Sequence, residues 1–214
     1  MRLSRLARLS SLAVSSVFAV TSLAAAARAE NSDRIRLLAG GDVSFTSDIN
    51  REIDTRQFDP FADLGGMMAA SDVSFVNLES VLASASLPRA KGRHRVPALR
   101  GTPNAARLLA QAGIDVVSVA NNHVFDVGTA GLGESLASLR SAGILPSGAG
   151  LSPQEAYAPA IVQVRDKKIG FISFSFGVNH RPTAPGVYAN FHDDPIGRVK
   201  TLKGAVDIAV VSIH

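Results

Sequence analysis

Short apolar runs alternate with amphipathic segments along this chain, and that alternation constrains the fold more than any other feature. Five runs have the length of a β-strand and are almost continuously apolar: 35–39, 73–76, 116–119, 169–174 and 208–213. Continuous apolar runs of this length are typical of strands that are covered on both faces of a sheet. Strands that alternate with helices predict a layered α/β domain.

Three helices are predicted between the strands from their start and stop signals. Thr102-Pro103 supplies an N-cap and a proline for the first turn, and Gly113 ends that helix. A second helix ends at Gly143, and a third begins at Asp194-Pro195. Residues 84–101 lack any such periodicity, so they are predicted to form a surface loop.

The N-terminal residues have the order of a secretory signal peptide. Three arginines precede an apolar segment, 9–26, which is followed by Ala27-Arg28-Ala29, an A-x-A cleavage pattern. We therefore divide the chain into a signal peptide, 1–29, and one domain, 30–214. The expected product is periplasmic or secreted and has no stable membrane span, and the alternative is an uncleaved N-terminal anchor.

Cleavage is expected after Ala29, because the small-residue pattern ends there. N-terminal sequencing of the mature protein should then begin at Glu30. Recovery of a chain that still begins with Met1 would contradict the signal-peptide interpretation.

Cysteine content and charge exclude two classes of protein. The chain contains no cysteine, so an exported domain of this kind has no disulfide framework. The net charge of +4 depends largely on arginines in the predicted signal peptide. The rest of the chain is nearly balanced, so its charge does not indicate a nucleic-acid partner.

Side chains that can bind metals follow the ends of several predicted strands. These residues are Asp42 after the first strand, Asn77 and Glu79 after the second, Asn121, Asn122 and His123 after the third, and His214 after the last. Ligand sites in open α/β sheets lie outside the carboxyl ends of the strands. The pattern therefore predicts that these side chains converge on one crevice.

The chemistry of this set indicates a divalent cation. Oxygen and nitrogen donors without thiolate suit Mn, Fe, Mg or Zn. Two such ions can stabilise the attacking and leaving oxygens of a phosphoryl ester. Taken singly, Asp42 could be a turn residue, Glu79 a surface charge and His214 a solvated side chain. Their occurrence on successive strand ends favours the metal site.

Longer motifs carry a resemblance to a known family. The segments are "GGDVSF", "VNLES", "GAG", "VDIAVVSIH" and "GTPNAARLLAQAGIDVVSVANNHVFDVGTAGLGESLASLRSAGI". They resemble the CapA family of bacterial capsule and poly-gamma-glutamate biosynthesis proteins, within the calcineurin-like metallophosphoesterase superfamily. The resemblance covers nearly all of the chain after the signal peptide. It implies a metallophosphoesterase-like layered α/β sandwich and a metal-dependent phosphoesterase-type site.

The resemblance also implies residue roles. Asp42 is similar to the first metal-ligand motif, and Glu79 takes the place of the bridging carboxylate. Asn122 resembles the amide ligand of the Asn-His motif, His123 its catalytic, phosphate-contacting partner, and His214 the next metal histidine. The complete domain would hold two divalent metals.

Three further residues are expected to support these ligands without contacting a metal: Asn77, Asn121 and Asp126. Asp126 has no ligand counterpart in the family, so we expect it to hold the loop or to orient His123.

The chain departs from the superfamily pattern in two places. Ser44 stands where a typical phosphoesterase of the superfamily carries a histidine, which the CapA branch also generally lacks. The family continues beyond the strand at 208–213 with a Trp-Gly pair, an acidic-aromatic segment and a Gly-His-x-His motif. The sequence is therefore interpreted as the N-terminal half to two-thirds of the domain, incomplete at its C-terminus. The alternative is a natural short protein with an incomplete site.

A basic loop lies outside these motifs. Lys91, Arg93 and Arg95 surround His94 in it, and they are predicted to contact a phosphoester substrate or an anionic polymer. The alternative for this loop is a solvated surface segment. His180 and His192 lie in polar loops that contain Pro and Gly, so they are predicted to be exposed. The alternative is that they approach the crevice.

An aromatic group lies near the strand predicted at 169–174, and its members are predicted to belong to the core: Phe171, Phe174 and Phe176.

The resemblance also implies that the partners include envelope polymer-synthesis proteins. Two functions remain as alternatives to catalysis: a non-catalytic accessory protein that binds the polymer, and an inactive fragment.

Overall fold

A computed structural model describes residues 34–45, 47–56, 58–64, 67–68, 70–90, 97–181 and 186–214. Residues 36–214 form one compact unit. The predicted signal peptide lies outside the described residues, and so do Lys91, Arg93, His94 and Arg95. Among the described residues, every helix is too short or too polar to span a bilayer.

Eleven named strands are present in the described residues: β1 (Leu37–Val43), β2 (Val73–Leu78), β3 (Val81–Leu82), β4 (Arg100–Gly101), β5 (Val116–Ser118), β6 (Leu145–Ser147), β7 (Ala149–Gly150), β8 (Ala160–Val164), β9 (Lys167–Phe174), β10 (Val187–Tyr188) and β11 (Ile208–Ile213). The described α-helices are α1 (Ser47–Arg56), α2 (Ala105–Gln111), α3 (Gly128–Ser141), α4 (Pro153–Ala156) and α5 (Pro195–Lys203). A short 3₁₀ turn covers Ala62–Leu64. Each of the five predicted runs contributes to a strand.

Two sheets organise the unit. The first has the order β1-β2-β5-β6, and all of its neighbouring strands are parallel. The second has the order β11-β9-β8, in which β11 and β9 are parallel and β8 and β9 antiparallel. Parallel neighbours joined through helices confirm the predicted α/β class.

The observed helix boundaries show which start and stop signals in the sequence predicted them correctly. Gly113 and Gly143 follow α2 and α3 with φ of 88° and 82°, a conformation that glycine adopts without steric cost. At the start of α5, Asp194 accepts a hydrogen bond from the Gly197 N–H at 3.0 Å. The predicted cap at Thr102 is wrong, because α2 begins at Ala105 and Asn104 is its N-cap.

Aromatic packing joins the two sheets. The rings of Phe75 on β2 and Phe171 on β9 are stacked, with centroids 5.4 Å apart. Phe171 and Phe174 are buried, as predicted, but Phe176 is 55% exposed and the prediction for it is wrong. Phe176 lies beyond the end of β9, at a bend of the chain.

The segment predicted as a surface loop is partly structured. Its last residues form β4, which pairs with β3. The Arg100 guanidinium donates to the carbonyl oxygens of Ala85 and Leu87, which closes the segment on itself. Leu99 donates its N–H to the carboxylate of Asp126 at 2.6 Å, so this segment also contacts the interior.

Gly148 marks a close approach of the two sheets near the carboxyl ends of their strands. It has φ of 101°, and a Cβ built there would lie 2.4 Å from Ala120 Cβ and 2.9 Å from the Ser173 carbonyl oxygen. No larger residue fits this position without moving the backbone.

Strand β11 lies at the edge of the second sheet within the described part of the chain. Three of its side chains are 40–50% exposed: Ile208, Val211 and Ile213. An exposed apolar edge of this kind is a site where other strands can pair.

Candidate metal centre

Two neighbouring strands deliver Asp42 and Glu79 to the same edge of the first sheet. Asp42 is the penultimate residue of β1 and is paired with Asn77 of β2. Glu79 directly follows β2, and its N–H donates to the Val43 carbonyl oxygen at 3.0 Å. Because β1 and β2 are parallel, both carboxylates lie at carboxyl ends of strands.

The second sheet delivers His214 to this edge. The His214 N–H donates to the Phe174 carbonyl oxygen at 3.0 Å, and the Phe176 N–H donates to the His214 carbonyl oxygen at 3.0 Å. These two hydrogen bonds extend the pairing of β9 with β11 beyond Ile213. The His214 backbone is therefore held as firmly as a strand residue.

The three side chains form a compact group. Each of Asp42, Glu79 and His214 offers one ligand atom, and these three atoms lie within 4.8 Å of one another. His214 Nε2 is 3.1 Å from Glu79 Oε1 and 4.0 Å from Asp42 Oδ1. Two ligands that each lie about 2.1 Å from one metal ion can be no more than about 4.2 Å apart. Both distances from His214 Nε2 satisfy that limit, so these three side chains form a possible ligand group for a divalent cation.

The side-chain oxygen of Asn122 is available to a ligand. Asn122 Oδ1 is buried and has no hydrogen-bond partner among the described residues. A buried acceptor without a partner costs about 1–3 kcal/mol. A bound cation would remove that cost, so the predicted ligand role of Asn122 has a physical basis and stays a prediction.

Two amides connect Asp42 to the histidine of the Asn-His motif. Asn77 Nδ2 donates to Asp42 Oδ1 at 2.8 Å. Asn121 Nδ2 donates to Asn77 Oδ1 at 3.2 Å and to the Leu78 carbonyl oxygen at 2.8 Å. Asn121 Oδ1 then accepts from the His123 N–H at 3.1 Å. The structure thus places Asn77 and Asn121 between the Asp42 carboxylate and the backbone of His123.

Asp126 is fully buried and binds two imidazoles. Its Oδ2 is 2.7 Å from His123 Nδ1, and its Oδ1 is 2.9 Å from His180 Nδ1. The Leu99 N–H also donates to Oδ2, at 2.6 Å. Asp126 therefore contacts the His123 ring at Nδ1, from which it can orient the ring.

The prediction that His180 is exposed is wrong. Its exposed fraction is 6%, whereas His192 is exposed as predicted. The neighbouring Asn179 donates its N–H to the Asn122 carbonyl oxygen at 2.7 Å, which folds the loop after β9 onto the Asn122–His123 turn. No local signal in the sequence indicates this contact, because His180 and Asp126 are 54 residues apart.

Comparison with solved structures gives remote similarities. A Staphylococcus aureus protein described as a 5'-nucleotidase, in complex with alpha-ketoglutarate, is 16% identical, with a TM-score of 0.46 over 84% of this chain and 37% of its own. A hypothetical protein from Thermus thermophilus is 21% identical, with a TM-score of 0.46 over 84% of this chain and 57% of its own. With TM-scores below 0.5, neither similarity assigns a chemistry to this chain.

Sequence comparison is more specific. Two Mycobacterium tuberculosis proteins, from strains CDC 1551 and H37Rv, are 31% identical over 161 residues, and each is named as a probable polyglutamine synthesis accessory protein. The match covers 68% of this chain and spans 41% of the length of each relative. The family model for bacterial capsule synthesis proteins matches residues 36–214. The family resemblance of the motifs is thereby confirmed, and the chain belongs to the bacterial capsule synthesis protein family PGA_cap.

Proposed function

We propose that this chain provides a divalent-metal site for hydrolysis of a phosphoester during synthesis of an anionic surface polymer. The observation that carries the proposal is the group of Asp42, Glu79 and His214, whose Nε2–O distances of 3.1 and 4.0 Å suit one cation. Asn122 would complete the ligand set through its orphaned Oδ1. A cation held there, Mn²⁺, Fe²⁺, Zn²⁺ or Mg²⁺, supplies Lewis-acid polarisation of a phosphoryl oxygen.

His123 would act on the substrate directly. Its Nδ1 is 2.7 Å from Asp126 Oδ2, so its Nε2 is the ring atom left for a phosphoryl oxygen or for the leaving oxygen. Asp126 holds the ring in one orientation, and Asn121 holds the backbone that carries it. Proton transfer by a side chain positioned in this way contributes about 10²–10⁴-fold to a rate.

The biological setting is proposed from the family and its relatives. Their names refer to capsule synthesis and to polyglutamine synthesis. We propose that the chain acts on an anionic polymer or its phosphoester precursor, together with other proteins of polymer assembly. Export to the periplasm or the exterior is part of this proposal and rests on residues 1–29.

A second candidate is a non-catalytic accessory role, which the word "accessory" in the names of both relatives favours. In that case the same crevice binds polymer or an assembly partner and hydrolyses nothing. Turnover of a simple phosphodiester separates the two candidates, because only the catalytic one predicts it.

We expect the protein to hydrolyse bis(p-nitrophenyl) phosphate when Mn²⁺ is added, and to lose this activity in EDTA. His123→Ala should lower the rate by about 10²–10⁴-fold, because it removes the side chain proposed to transfer the proton. His192→Ala is the matched control, since that histidine is exposed, and it should leave the rate unchanged. Release of p-nitrophenol is measured by its absorbance. Absence of turnover with each of the four cations would overturn the catalytic proposal and leave the accessory role.

A further inference from the structure

We propose that His180 and Asn179 bind the phosphoryl oxygens of the substrate, so that the site has a second histidine beside His123. This inference rests on the proposed function, because it names the part of the site that would hold the anionic group. The segment 179–180 belongs to none of the predicted metal-binding motifs. It reaches the site from the end of β9, through the second sheet.

The first step is the arrangement of the two imidazoles around Asp126. Both rings use Nδ1 to contact the same carboxylate, one on each oxygen, at 2.7 and 2.9 Å. Nε2 lies on the opposite side of an imidazole ring from Nδ1, so both Nε2 atoms face away from Asp126. Within the described chain, neither Nε2 makes a hydrogen bond. The carboxylate therefore fixes two rings in a defined orientation and leaves one nitrogen of each for a ligand.

The second step is the accessibility of these nitrogens. His123 and His180 are 8% and 6% exposed, and Asp126 is fully buried. Neither Nε2 belongs to the buried side-chain atoms that lack a partner, so each keeps some contact with the solvent. Each ring is thus fixed at Nδ1 inside the protein and leaves Nε2 open to a ligand.

The third step is the amide beside His180. Asn179 Nδ2 is buried and has no hydrogen-bond partner among the described residues. Its backbone N–H is bound to the Asn122 carbonyl oxygen at 2.7 Å, so Asn179 lies directly against the Asn-His motif. An unpaired amide donor suits an oxyanion, for which preorganised donors are the main means of binding.

The fourth step is the separation of donor types. Three acceptor atoms lie together, on Asp42, Glu79 and His214, and Asn122 Oδ1 is a further acceptor without a partner. The orphaned donor is Asn179 Nδ2, on a residue whose backbone is hydrogen-bonded to Asn122. A phosphoester bound to a cation needs both kinds of partner, because its oxygens contact the cation and hydrogen-bond donors together. The two orphaned amide atoms match these two needs.

The test uses inorganic phosphate as the probe and the Mn²⁺-loaded full chain as the protein. His180→Asn keeps a side-chain N–H near the position of Nδ1, so the contact with Asp126 can persist, and it removes Nε2. We expect phosphate affinity, measured by isothermal titration calorimetry, to fall by about 10- to 100-fold, the effect of losing a hydrogen bond to a charged group. Asn179→Ala should lower it similarly, and His192→Asn, the exposed control, should not change it.

Further measurements separate this role from a structural one. In long-range ¹⁵N NMR spectra of the wild type loaded with Zn²⁺, which is diamagnetic, the His180 Nε2 resonance should shift when phosphate is added. Thermal unfolding of His180→Asn should match the wild type, whereas His180→Phe, which cannot contact Asp126, should unfold earlier. If His180→Asn also unfolds early, its phosphate affinity is no longer informative. The phosphate affinity of Asn179→Ala and the NMR shift of the wild type then show whether these residues bind phosphate. For the phosphodiester reaction, His180→Asn should raise KM more than it lowers kcat.

The outcomes distinguish this inference from the proposed function. Unchanged phosphate affinity in both His180→Asn and Asn179→Ala would overturn the inference, while Mn²⁺-dependent hydrolysis would still stand. A loss of Mn²⁺ affinity in His180→Asn with phosphate affinity intact would also overturn it, because His180 would then belong to the cation side. Phosphate binding that requires His180 in a protein without turnover would support the inference and overturn hydrolysis alone.

Discussion

Glu79→Gln should cause the largest loss of metal affinity of any single substitution in this chain. Its side chain is only 19% exposed, and its Oε1 lies 3.1 Å from His214 Nε2. The amide keeps the shape of the side chain but removes the negative charge that attracts a cation. Loss of a residue that merely supports a ligand costs about 10–100-fold in metal affinity, so loss of Glu79, which we propose as a direct ligand, should exceed that range. Titration with Mn²⁺, followed by calorimetry or electron paramagnetic resonance, measures the effect.

A matched control is available in the turn between β8 and β9. Asp166 is an exposed carboxylate, 77% exposed in its side chain, that pairs with Lys167, and Asp166→Asn should leave Mn²⁺ affinity unchanged. Without metal, the free energy of unfolding of Glu79→Gln should lie within about 1 kcal/mol of the wild-type value, because partly exposed ion pairs contribute little to stability. Wild-type Mn²⁺ affinity in a folded Glu79→Gln protein would show that the group at the strand ends is not a metal centre.

Asp126→Ala should lower the free energy of unfolding more than any other substitution at the site. Three donors lose their acceptor at once: His123 Nδ1, His180 Nδ1 and the Leu99 N–H. Each buried donor that is left without a partner costs about 1–3 kcal/mol, so the loss should be about 3 kcal/mol or more. That amount is a large part of the roughly 5–15 kcal/mol that holds a native domain together. Urea unfolding, followed by circular dichroism, gives the free energy.

Asp54 provides the comparison for Asp126. Its carboxylate also accepts two side-chain hydrogen bonds, from Thr102 and Asn104, but it lies at the surface. Asp54→Ala should cost about 0.5 kcal/mol, as is usual for exposed positions. Equal losses of unfolding free energy in the two variants would show that burial and the two imidazole contacts add nothing to the contribution of Asp126.

Much of the fold follows from local patterns in the sequence. The apolar runs place the strands, since a strand covered on both faces needs continuous apolar side chains. Gly113 and Gly143 mark helix ends because few other residues tolerate a positive φ. The polar residues at strand ends were predictable for the same reason: a strand end is a local feature, and parallel neighbours share one edge.

The remaining features depend on contacts between distant parts of the chain. The burial of His180 depends on Asp126, on another loop, and the polar residues around His180 indicate exposure. The position of Asp42 opposite Asn77 follows an irregularity in the β1–β2 register between Ala39 and Asp42, which no periodicity reveals. Phe176 continues the aromatic pattern of β9 in sequence but lies outside the strand.

The parallel pairing of β9 with β11 has a consequence for the order in which the site can assemble as the chain emerges into the compartment where it folds. The N-terminal end emerges first, and folding can begin before the C-terminal residues have emerged. The Asp126 carboxylate and both of its imidazoles are available once His180 has emerged. Asp42, Glu79 and His214 cannot come together until α5 has formed the crossover and β11 has paired with β9, because His214 follows β11. The paired imidazoles can thus be fixed around Asp126 in an emerging chain that has not yet brought His214 to Asp42 and Glu79.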